Sequence, residues 1–131
     1  MGWEPGARPR VVVADDNPPV LDALGRMLRE DCDVVASVSS GGEAVDVVSR
    51  LRPDVLVTDL MMPDMDGLEV CRRVRRLTPE TAVIIITASA DPAVRAAALR
   101  EGASALLPKH LVAEQLVRTI ERVCEDVQKP S

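Results

Sequence analysis

Five polar residues stand where short apolar runs stop, and together their types can do chemistry. Asp15 and Asp16 follow "VVVA", Asp59 ends "DVLVTD", Thr87 ends "TAVIIIT", and Lys109 follows "SALLP". Two adjacent carboxylates about 4 Å apart, at an effective dielectric near 20, repel by on the order of 4 kcal/mol. A hard cation offsets that repulsion. Mg²⁺ suits an all-oxygen donor set because it takes oxygen ligands in octahedral geometry and keeps several waters. A lysine facing the acids adds a second positive centre, suited to an incoming phosphoryl group, and a threonine hydroxyl beside them can donate to the same group. Carboxylates can also act as nucleophiles and form aspartyl phosphates. Phosphoryl transfer asks the protein mainly for positioning and charge neutralisation.

These residues share a site only if the elements before them align. The apolar runs at 10–14, 33–38, 54–59, 81–87 and 104–108 are short, rich in Val and Ile, and mostly without polar alternation. That pattern predicts parallel strands covered on both faces. Between them the spacing is helical: Leu21, Leu24 and Leu28, then Ala44, Val48 and Leu51, and later Leu116, Ile120, Val123 and Val127. Pro18 and Pro19 sit where a first helical turn begins, Asp91-Pro92 reads as N-cap followed by N1, and Gly102 takes the place of a C′ residue. Five βα units predict an α/β fold, a flavodoxin-like doubly wound (βα)5 sandwich. Its strand order, 2-1-3-4-5, is taken from known folds of this type rather than read from the residues. In that order the crevice outside the carboxyl ends opens between strands one and three, which carry the acids. Asp59 then stands alone on the central strand and is assigned as the nucleophile, with Asp15 and Asp16 as the cation-binding pair.

The bulk properties narrow the class. A chain of 131 residues suits one domain, and 47% apolar with 28% charged residues predicts a folded chain rather than a disordered one. The aromatics reduce to Trp3, so the core is aliphatic. A net charge of −5 argues against nucleic-acid binding by the chain itself. No run approaches a membrane span. Cys32, Cys71 and Cys124, without C-x-x-C spacing or a signal peptide, predict buried thiols in a reducing cytoplasm. Residues 1–9 read as a loose arm, 10–127 as the domain, and 128–131 as a tail or the start of a linker.

"ADDNPPVLDAL", "DVLVTDLMMPDMDGLEV", "AVIIITASAD" and "EGASALLPKH" resemble the receiver domain of two-component response regulators, over nearly the whole chain from Arg10 to Val127. The resemblance implies a signalling switch rather than an enzyme, with Asp59 accepting phosphate from a histidine kinase or phosphotransfer protein. It implies Mg²⁺ held by Asp16, Asp59 and the backbone carbonyl of Met61, with Asp15 acting through water. It implies that Lys109, Thr87 and the backbone of Ala88 grip the phosphoryl oxygens, that Thr87 moves as the switch, and that Gly67 permits the turn into the third helix. A homodimer or partner contact through the fourth helix, fifth strand and fifth helix is implied as well. Two positions depart from the pattern. The switch position three residues before the lysine, commonly aromatic, is Leu106, and the residue after the lysine, often proline, is His110. A cis Lys109-His110 bond would cost roughly 3 kcal/mol, so a trans bond is expected. "GASALLPKH" is most similar to receivers that regulate transcription through a helix-turn-helix output domain, which these residues do not include.

Plainer readings cover the remaining polar and soft residues. His110 is expected at the surface, and Met61, Met62 and Met65 as packing residues. Arg72, Arg73 and Arg76 are expected on a solvated helix face opposite Val70, Val74 and Leu77. The alternative to a switch is a Mg²⁺-dependent phosphatase with an aspartate nucleophile. Those enzymes carry D-x-D at the first strand, where this chain has adjacent Asp15-Asp16. A flavin or nucleotide binder would want a phosphate cradle after strand one, where the two carboxylates would repel it.

Overall fold

The computed structural model describes residues 8–89 and 91–128, with the side chains of 126–128 excepted. Ala90 and most of the expected arm and tail, residues 1–7 and 129–131, lie outside the described residues. The elements alternate as β1 (Arg10–Ala14), α1 (Pro18–Leu28), β2 (Asp33–Val38), α2 (Gly41–Leu51), β3 (Val55–Asp59), α3 (Gly67–Leu77), β4 (Ala82–Thr87), α4 (Pro92–Arg100), β5 (Ala105–Pro108) and α5 (Val112–Gln128). The sheet is parallel throughout, in the order β2-β1-β3-β4-β5.

Successive side chains of a strand point to opposite faces, and the core divides accordingly. Val11, Val13, Val55, Val57, Ile84, Ile86 and Leu107 pack with Leu24 and Leu28 of α1 and with Leu116, Ile120 and Val123 of α5. Val12, Leu56, Val83, Ile85 and Leu106 pack with Ala44 and Val48 of α2, Val70, Cys71 and Val74 of α3, and Ala98 of α4. Both faces of the middle strands are therefore dry, which is why their runs lack polar alternation. Edge strand β2 is only partly buried. The three thiols are free and buried.

Local caps fix where the helices begin. Asn17 accepts from the Val20 N–H, Ser40 from Glu43, Asp66 from Glu69, and Asp91 from Ala93. Gly102 follows α4 with φ +95, the left-handed conformation expected of a C′ glycine. Leu77 departs from expectation. It is 52% exposed, because it closes the last turn of α3, past the stripe of Val70, Cys71 and Val74 that meets the sheet. Of the three methionines expected to pack, Met62 is buried and Met65 partly so, whereas Met61 is 70% exposed.

Candidate functional site

Strand register brings the chemistry to one end of the sheet. Ala14 pairs with Thr58, so Asp15 and Asp59 leave β1 and β3 at the same level. Asp59 pairs with Ile86, placing Thr87 one step further, and Thr87 pairs with Pro108, placing Lys109 one step beyond that. The adjacent β1 and β3 are where the strand order reverses, the crevice in which such sheets bind ligands.

The acids converge there. Carboxylate oxygens of Asp15, Asp16 and Asp59 all lie within 4.8 Å of one another. Asp15 and Asp59 are buried, at 3% and 6% exposure, while Asp16 is open to solvent. The Asn17 N–H donates to Asp15 Oδ1 at 2.8 Å and the Met61 N–H to Asp59 Oδ1 at 3.4 Å. Lys109 Nζ lies 3.6 Å from Asp59 Oδ2, with its side chain half exposed. Burial pushes the Asp15 carboxyl above its ordinary value, and the nearby Asp59 adds to this, against the opposing Asn17 N–H and Lys109. Three oxygen donors without sulfur or imidazole fit a hard divalent cation of the Mg²⁺ type.

The remaining sequence-predicted residues fall around this cluster. Thr87 is buried, and its hydroxyl oxygen accepts the Ser89 N–H at 2.9 Å. Ala88 follows it directly. Leu106, 8% exposed, sits among the side chains on the α2–α4 face, an aliphatic side chain at the switch position. His110 is exposed in the 3-10 turn Lys109–Leu111 that follows β5. There is no cis peptide bond among the described residues, so Lys109-His110 is trans as expected.

Around the loop at 60–66 the structure supplies the physical reason for Gly67 and adds Asp64, which the sequence does not single out. Gly67 does not have a positive φ. Its role is close approach: a Cβ there would lie 2.9 Å from both Asp59 O and Leu60 Cα, while its N–H donates to Leu60 O at 2.7 Å. Backbone cannot yield as a flexible side chain can. Gly67→Ala is therefore expected to cost about 1–3 kcal/mol, read as a lower urea midpoint, and an unchanged midpoint would contradict the contact. Asp64 reaches α2 and accepts from the Gly41 N–H at 3.0 Å and the Gly42 N–H at 2.9 Å. "MMPDMDG" displays Asp64, but nothing in it indicates a partner 22 or 23 residues upstream.

The chain is similar to known proteins over most of its length. The family model of the response regulator receiver domain matches residues 11–121. The response regulator MprA of Mycobacterium leprae is 39% identical over 111 residues, covering 85% of this chain and 49% of that protein. MprA of Mycobacterium avium is 39% identical over 108 residues, with 82% and 47% covered. The chain thus spans about half the length of these curated relatives. Among solved structures, the signal receiver domain of the response regulator NarL from Mycobacterium tuberculosis aligns with a TM-score of 0.79 at 29% identity, over 94% of this chain and 98% of that one. A LuxR-family two-component response regulator from Aurantimonas sp. SI85-9A1 aligns with a TM-score of 0.86 at 29% identity, over 92% and 87%. The chain belongs to the response regulator receiver domain family.

Proposed function

We propose that residues 10–127 form a phosphorylation-dependent signalling switch in which Asp59 accepts a phosphoryl group from a phosphohistidine on a histidine kinase or phosphotransfer protein. The observation that carries this is the Asp59 carboxylate at the end of the central strand, between two further acids and the Lys109 ammonium 3.6 Å away. An Asp59 oxygen forms the new bond to phosphorus as the P–N bond breaks, its electron pair leaving with the imidazole. Asp16, Asp59 and the Met61 carbonyl would hold Mg²⁺, with Asp15 acting through water. When bound, the ion supplies positive charge against the phosphoryl oxygens. Lys109, 3.6 Å from Asp59, supplies a second positive charge. Thr87 accepts the Ser89 N–H and keeps its own hydroxyl proton to donate. The Ala88 backbone N–H is the remaining donor.

The signal leaves without an aromatic switch, because Leu106 offers neither ring nor hydroxyl. Movement of Thr87 then passes to the residues after β4 and to α4, whose one buried side chain among the described residues is Ala98. A groove between α4 and α5, lined by Arg95, Leu99, Leu111 and Arg122 among others, suits a homodimer or partner contact through α4, β5 and α5. A cytoplasmic setting and a transcriptional output through a separate domain complete the reading. No described helix is long and apolar enough to cross a membrane.

The test is labelling with a small-molecule phosphodonor in the presence of Mg²⁺. One phosphoryl group, alkali-labile and dependent on the cation, is expected. A label stable to alkali, or one indifferent to chelator, would refute the assignment.

A further inference from the structure

The loop at 60–66 carries Met61 past the acid cluster, and its attachments are uneven. At its start the Leu60 N–H donates to Ile86 O at 2.9 Å and Leu60 O accepts the Gly67 N–H. At its end Asp66 caps α3. Between these, Met61 is exposed, and its N–H donates to Asp59 Oδ1 at 3.4 Å. Met62 buries its side chain in the core and Met65 does so in part, and the polar tie of the loop to α2 is Asp64, which takes the Gly41 and Gly42 N–H groups. These are the first two orphan donors of α2, and Ser40 takes the third, from Glu43. Gly41 also admits the loop sterically, since a Cβ on it would lie 2.8 Å from Met65 Cβ and 3.0 Å from Met65 O. The two Asp64 bonds are charge-assisted, and they place a carboxylate at the positive end of a helix dipole. They hold its carboxyl below the usual value.

Resting on the cation reading above, we infer that Asp64 is a positioning residue. By fastening the loop to the start of α2, it presets the Met61 backbone beside Asp59 for the cation. It acts through the loop and touches neither cation nor phosphoryl group.

The test titrates Mg²⁺ alone into the intact chain and follows the backbone amide resonances of residues 60–66. Asp64→Ala is expected to weaken Mg²⁺ binding by about tenfold, the range typical of residues that orient metal ligands. Asp64→Asn, which keeps an acceptor oxygen, should recover part of that loss. Ser40→Ala removes the neighbouring cap of the same helix without touching the loop, so it should lower stability and leave Mg²⁺ affinity unchanged. Unchanged affinity in Asp64→Ala, or an equal loss in Ser40→Ala, would overturn the positioning role while leaving the cation site intact. A wild-type protein with no Mg²⁺ response would overturn the cation reading and this role with it.

Discussion

Asp59→Ala is expected to abolish phosphoryl labelling and leave a folded domain at least as stable as the wild type. Burying a carboxylate at 6% exposure beside Asp15 and Asp16 is unfavourable, and the raised Asp15 carboxyl records part of that strain. Removing a buried charge usually strands its partner. Here the partner is Lys109, whose half-exposed ammonium returns to water. The variant also gives up the 3.4 Å bond from Met61 N–H. Relief of repulsion against these losses leaves a gain on the order of 1 kcal/mol at neutral pH. Urea unfolding measures it, and mass spectrometry of the treated protein reads the label. Label persisting on another residue would sink the assignment of Asp59, and a midpoint well below wild type would sink the account of repulsion.

Mg²⁺ should stabilise the domain, and Asp16→Ala should remove the response. At ten times the dissociation constant, binding to the native state alone adds roughly 1.4 kcal/mol. For a chain of this size that is an upward Tm shift of about 3–6 °C. The shift should depend on pH in a definite sense. Asp15 has its folded-state pKa raised above the unfolded value of 3.8, so between the two the native state holds the extra proton. Its favourable contribution is full below 3.8 and lost as pH rises through the folded value. At neutral pH Asp15 is thus at its least favourable without a cation, and there the Mg²⁺ shift should be largest. Thermal unfolding in Mg²⁺ against chelator, at neutral and acidic pH, checks both the size and the trend. A midpoint indifferent to Mg²⁺ at neutral pH would count against the site.

The sequence by itself determined the elements and the residues at their ends. Val- and Ile-rich runs and the 3.6-residue spacing of the helices are local signals, and so are Pro18 at the start of α1, Asp91 as N-cap and Gly102 at C′. Each of these carries its own steric or hydrogen-bonding reason within a few residues. The five strand-end polar residues were visible for the same reason, since each marks where an apolar run stops. What only the tertiary structure decided is long-range. Register between β1 and β3, not spacing along the chain, sets Asp15 level with Asp59. The end of α3 leaves Leu77 in solvent although its helical phase pointed to the core. Gly67 is required by backbone passing 2.9 Å away rather than by its own torsion, and Asp64 finds its donors on a helix that precedes it by more than 20 residues. Periodicity reports which face of an element is dry; which backbone groups then meet across elements depends on how the layers pack, and that is settled by the fold as a whole.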